Sequence, residues 1–224
     1  MNKRIAKLLS DFGFFVFGKF YGSLGEPSPI YITSKKMYSH PDKMKIVSEE
    51  IAKFMKGKDI DLVAGTMVSG TPLAMAVSLA SQKPFIYLRQ KKKKNGSIQT
   101  NLEGLYRRGE RVLVVDDGIG TGGTKARFIK KLHRKGLVVN HVLVLYDAEV
   151  GYLPFYKENN ISIHSFVKHN DLVDYMIKNG YVSIKLGEYM YNIWKNLKEW
   201  HKDQKKWDEF VALAKSEGFN GSSK

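Results

Sequence analysis

Asp116 and Asp117 close a run of apolar residues in the stretch 111–124, RVLVVDDGIGTGGT, and glycines and threonines follow at once. Two carboxylates at the mouth of a strand can accept hydrogen bonds from the two hydroxyls of a ribose. Behind them, Gly118, Gly120, Thr121, Gly122, Gly123 and Thr124 combine free backbone N–H groups with hydroxyls, a cradle suited to a phosphate monoester at a helix start. Together they fit a sugar 5-phosphate lying across the strand end. No Gly-Lys-Ser/Thr follows the glycines, so the lysine of an ATP-type phosphate loop is missing. The acidic pair also precedes the glycines, which is not the order of a dinucleotide fingerprint.

Such a site needs a strand to carry the aspartates and a helix to open behind the loop. Val112 to Val115 reads as a buried central strand, with Asp116 and Asp117 at its carboxyl end and a helix beginning near Lys125. The same alternation runs along the chain. DLVAG (61–65), PFIYL (84–88), NHVLVLYD (140–147) and ISIHSFV (161–167) read as strands, and TPLAMAVSLASQ (71–82) and TKARFIKKLHRKG (124–136) as helices. Ahead of them lie a helical rhythm through Ile5, Leu8 and Leu9, a short strand signal at Ile30–Thr33, and a helical pattern from Met44 to Met55. Apolar strands separated by helices of about a dozen residues mean βαβ units and an α/β fold around a mostly parallel sheet flanked by helices. After Gly180 the character changes to amphipathic stripes, Met190 to Trp200 and Trp207 to Ala214, with lysines between.

Composition bounds the reading. The 224 residues are 43% hydrophobic and 12% aromatic, enough for a packed core, so a disordered or fibrous chain is excluded. No stretch has the length of a membrane-spanning helix, and the first residues lack the apolar core and cleavage site of a secretion signal; the expectation is a soluble cytoplasmic protein with no membrane partner. The absence of cysteine excludes disulfides, thiolate zinc sites and cysteine nucleophiles. A formal net charge of +15 favours anionic partners of some kind.

The stretch VVDDGIGTGGT resembles the phosphoribosyl pyrophosphate (PRPP) motif of the type I phosphoribosyltransferases, and from about Phe17 to Met176 the chain is similar to the orotate branch of that family. The resemblance implies a phosphoribosyltransferase domain over 1–180, with residues 1–35 as a small N-terminal hood over the base, and a helical C-terminal extension over 181–224. It implies PRPP and a nucleobase as substrates, Mg²⁺ brought in with PRPP rather than held by metal-ligating side chains, and a homodimer. Residue by residue, it gives Asp116, Asp117 and the loop from Gly118 to Thr124 to the ribose phosphate. Thr66, Met67, Val68, Ser69 and Gly70 match the loop whose amides hold the pyrophosphate, and Arg89 an arginine that reaches the same group. Lys93, in the run KKKK, matches the lysine of a catalytic lid formed by residues 89–104, although Lys92 or Lys94 is placed to serve as well.

Departures from the family pattern concern the lid and the base. Asn95 stands where the lid has a histidine, and Gln90 where a lysine follows the arginine. The base pocket falls around Ser23, Tyr31 and Ala148, and Ser23 and Ala148 occupy the places where the orotate branch meets the carboxylate of its base with a lysine and an arginine. Lys19 and Arg4 are the candidate substitutes. Two other functions stay open on the sequence: a PRPP-binding regulator without turnover, suggested by these departures, and a nucleic-acid-binding protein using the basic surface, which is not favoured because lysines on outer helix faces commonly just solvate them.

Overall fold

The computed structural model describes residues 1–21, 27–89, 102–193 and 203–219. They form two compact units: residues 1–36, 146–150 and 166–224 in the first, and 37–145 with 151–165 in the second.

In the first unit, α1 (Lys3–Asp11) is opened by Asn2, whose side chain accepts from the Arg4 and Ile5 N–H groups at 3.1 and 3.2 Å. The aromatic segment after it forms β1 (Phe15–Tyr21), an antiparallel hairpin with β2 (Pro27–Ile32). Strand β1 has no strict two-residue alternation, and its register shifts between Phe17 and Phe20; that irregularity hides the strand in the sequence. Among the described residues, α6 (His169–Lys178), α7 (Ile184–Ile193) and α8 (Gln204–Ser216) follow. The last is tied to the hairpin: Phe210 is fully buried with its ring 5.3 Å from that of Phe17, and Trp207 Nε1 donates to the Gly18 carbonyl. His169 is buried with Tyr146 Oη 2.7 Å from its Nδ1 and the Met190 carbonyl 2.8 Å from its Nε2. Burial pushes this imidazole below its ordinary pKa, so the neutral ring donates from Nε2 and accepts from Tyr146.

A short 3-10 turn (Lys35–Ser39) leads into the second unit, which carries α2 (Pro41–Met55), β3 (Leu62–Gly65), α3 (Gly70–Ser81), β4 (Phe85–Leu88), β5 (Leu102–Glu103), β6 (Arg111–Ile119), α4 (Gly123–Arg134) and the short α5 (Phe155–Glu158). With β7 (Val138–Asp147) and β8 (Ser162–Lys168) the strands order as β5-β4-β3-β6-β7-β8. The sheet is mostly parallel: β3 pairs in parallel with both β4 and β6, and β5 is antiparallel to β4. Strand β6 is central because Val112 to Val115 are all buried, and its neighbour β3 is buried at every position. Asp61 joins the starts of these two strands. It accepts from the Arg111 backbone N–H at 2.9 Å and from Arg111 Nε and Nη2 at 2.8 and 3.0 Å.

Three boundaries differ from the sequence reading. Helices α3 and α4 begin at Gly70 and Gly123, two residues or so earlier than their apolar patterns start, because the glycine loops themselves coil into the first turn. Strand β6 runs on through Asp116 and Asp117 to Ile119, a position buried in the core. Helix α5 is only four residues long and starts directly after Pro154, which allows a helix to start but not to extend backwards.

Candidate active site

Parallel pairing of β3 with β6, Gly65 opposite Val115, brings the ends of both strands together, and each is followed by a glycine turn into a helix. The loop 66–69 thus lies beside the loop 118–122. Glycine is required where they touch: a side chain at Gly70 would bring its Cβ within 2.6 Å of the Val115 carbonyl oxygen and 3.0 Å of Asp116 Oδ1. The Met67–Val68 peptide within this loop is cis.

The two aspartates have different surroundings. Asp116 is buried, 5% exposed. Thr66 Oγ1 donates to Oδ2, Ser69 Oγ lies 3.5 Å from Oδ1, and the Asp117 N–H donates to Oδ1 at 3.0 Å. Lys125 Nζ sits 2.6 Å from Oδ2 and also donates to the Gly118 carbonyl. Asp117 is half-buried, with Oδ1 accepting from the Gly118 N–H at 2.9 Å. Thr121, Thr124 and Gly120 are exposed beside it. Of the pair, Asp117 is the carboxylate on the open side and Asp116 the one that ties the loops.

The phosphate-type loop is braced from behind. Gly122 has φ +82°, a left-handed value that favours glycine, and a side chain there would strike the Tyr156 ring. Tyr156 Oη donates to the Gly122 carbonyl at 2.6 Å, and the Leu153 N–H donates to the Thr121 carbonyl at 3.0 Å. Burial raises the Tyr156 hydroxyl pKa, keeping it a donor at all ordinary pH. On the other loop, Tyr38 Oη donates to the Ser69 carbonyl.

Arg89 leaves the end of β4 and pairs with Glu103 of β5. Its Nε and Thr71 Oγ1 are buried without a hydrogen-bond partner, and both residues line a cavity of about 340 Å³ together with Met67, Val68, Pro72 and Tyr87. Arg89 therefore shares a cavity wall with the 66–69 loop. Among the described residues no three His, Cys, Asp or Glu side chains converge on a point that could hold a metal ion.

A family model described as "Phosphoribosyl transferase domain" matches residues 34–172. The chain belongs to the phosphoribosyl transferase family. Among its relatives, the orotate phosphoribosyltransferase of Methanocaldococcus jannaschii is 32% identical over 171 residues, 76% of this chain and 96% of that protein. Of the solved structures, Leishmania donovani UMP synthase is matched at a TM-score of 0.75 and 29% identity over 86% of this chain and 42% of that one. The orotate phosphoribosyltransferase of Aeropyrum pernix is matched at a TM-score of 0.63 and 27% identity over 79% of this chain and 98% of that one.

Against this phosphoribosyl transferase background, Thr66 to Gly70, Arg89, Asp116, Asp117 and Gly118 to Thr124 all fall in the second unit at strand ends and loops. Tyr31 and Ala148 belong to the first unit, Tyr31 half-exposed and Ala148 buried. Ser23, Gln90, Lys93 and Asn95 lie outside the described residues. Of the two cations considered for the base, Lys19 is in an ion pair with Asp208 at 3.2 Å, and Arg4 lines a surface groove with Lys7, Asp171 and Asp174. Lys35 was not anticipated, and its Nζ lies 3.4 Å from the Tyr31 hydroxyl.

Sequence reasoning also passed over Lys125, Tyr156 and Glu103. Lys125 had a legible signal: a lysine in the first turn of a helix opposes the macrodipole and needs a carboxylate nearby. Tyr156 and Glu103 had none, because their partners are distant in sequence.

Proposed function

We propose that the chain is a Mg²⁺-dependent phosphoribosyltransferase of the orotate type, joining a nucleobase to the ribose 5-phosphate of PRPP with release of pyrophosphate. The observation that carries this reading is the pair of loops, 66–70 and 118–122, drawn together at adjacent strand ends through Asp116. One loop suits each anionic end of PRPP. The orotate phosphoribosyltransferases among its relatives support the orotate branch.

In the reaction a base nitrogen gives up its proton to solvent and bonds to C1 of the ribose as the C1–oxygen bond to pyrophosphate breaks, and that bond's electron pair leaves with the pyrophosphate. Positive charge builds on the ribose ring, and the Asp117 carboxyl group, hydrogen-bonded to the ribose hydroxyls, is placed to favour it. The amides of the 66–69 loop and Arg89 meet the charge growing on the leaving group. A hard divalent ion brought in by the phosphate oxygens of PRPP would neutralise the pyrophosphate charge. The same reading includes a homodimer, supported by Met75 and Leu79, which are 45% and 68% exposed one turn apart on α3.

The test is nucleotide formation from Mg²⁺ and PRPP with orotate, uracil, hypoxanthine, guanine and adenine in parallel, with Asp117→Asn as the blank. Turnover of orotate is the expected result. Turnover of a neutral base alone would move the substrate away from orotate and assign the change to the pocket of Ser23 and Ala148. PRPP binding with no product from any base would replace the enzyme reading with a PRPP-binding regulator.

A further inference from the structure

Lys125 is 6% exposed, in the first turn of α4, while Arg127, Lys130 and Lys131 on the same helix are exposed. A buried ammonium is costly unless it is paired and hydrogen-bonded. At the N-terminal turn it also faces the positive end of the helix dipole. Lys125 meets both costs by bridging the Asp116 carboxylate and the Gly118 carbonyl. Asp116, in turn, is the acceptor for Thr66 and lies beside Ser69 Oγ. A continuous chain of polar contacts therefore runs from the helix behind one anion loop to the side chains of the other.

We propose that Lys125 is a positioning residue of this site, whose ammonium anchors the 118–122 loop to Asp116 and, through Asp116, holds the 66–69 loop in register with it. Charge gives the arrangement a second consequence. Asp116 and Asp117 together would set two negative charges beside a ligand that is itself a polyanion, and the internal ammonium offsets one of them. The two loops then present their amides to phosphate and pyrophosphate at a fixed separation. This inference rests on the reading of the two loops as the PRPP site, and it assigns Lys125 no contact with substrate.

The experiment is calorimetric titration of the full chain with ribose 5-phosphate and, separately, with inorganic pyrophosphate, comparing wild type with Lys125→Met and recording the thermal melt of each. Methionine keeps the length of the side chain and removes the charge. The expected result is a folded variant in which both dissociation constants rise by at least about tenfold, the scale of one charge-assisted hydrogen bond. The pyrophosphate arm is the decisive one, because a merely structural lysine behind the 118–122 loop would lower the melting temperature without moving affinity at the other loop. An unchanged constant for either ligand overturns the proposal. If Lys125→Met does not fold, Asp116→Asn is compared with Asp116→Asn/Lys125→Met, where no unpaired carboxylate remains. Further weakening of ribose 5-phosphate binding in the double variant supports the anchor at Gly118, and equal affinity overturns it. A wild-type chain that binds neither ligand would remove the PRPP reading itself, and the inference with it, an outcome distinct from failure of the variant alone.

Discussion

Asp116 and Asp117 are adjacent in sequence, yet one is enclosed by Thr66, Ser69 and Lys125 and the other faces the open side of the loop. Their substitutions should separate stability from activity. Asp116→Asn leaves the Lys125 ammonium buried without its counter-charge, and the expected loss is about 3 kcal/mol of unfolding free energy in a urea titration. Asp117→Asn keeps an oxygen able to accept from the Gly118 N–H and leaves no buried ammonium without its counter-charge, so the stability change should be smaller, within about 1 kcal/mol. Its turnover should fall by about 100-fold, as for loss of one charge-stabilising group. Equal effects of the two substitutions on both measurements would contradict this division of labour.

Strand pairing positions the site, and the pair of strands that carries it is fastened at the far end by Asp61 and Arg111. The Arg111 guanidinium and backbone N–H hold the Asp61 carboxyl down at about 2, against an ordinary value of 3.8. A carboxylate with a depressed pKa in the folded state contributes stability that is complete above the unfolded value and lost as pH falls through the folded one. Asp61→Asn should therefore be less stable than wild type at pH 7 and lose that deficit between pH 3.8 and about 2. The side chains are about a third exposed, so screening limits the deficit at neutral pH to about 1 kcal/mol. Chemical melts of both proteins at a series of pH values check the sign, and a gap that widens on acidification would refute it.

For the whole molecule, the exposed pair Met75 and Leu79 on α3 gives the proposed homodimer a concrete surface. Replacing Met75 and Leu79 with Glu together puts two charges on that surface at positions that do not support the protomer's core. The expected outcome in analytical ultracentrifugation is a halved mass with an unchanged far-ultraviolet circular dichroism spectrum; a dimer that persists would place the interface elsewhere. No helix among the described residues is long and apolar enough to cross a membrane.

Local patterns in the sequence determined the α/β class, the strand over Val112–Val115, and the two glycine loops, because buried parallel strands are continuous apolar runs and anion loops need glycine and hydroxyl residues in one short stretch. The hairpin strand β1 escaped because its register breaks between Phe17 and Phe20, and β5 because two residues carry no period. Tertiary structure alone decided which aspartate is enclosed. That choice depends on Thr66 and Ser69, about 50 residues away along the chain and adjacent only because β3 and β6 pair in register, and on Lys125 folding back from the helix they face. Residues separated by that much chain leave no periodic or local trace of their meeting, so a carboxylate's partners become legible only when the strands are laid side by side.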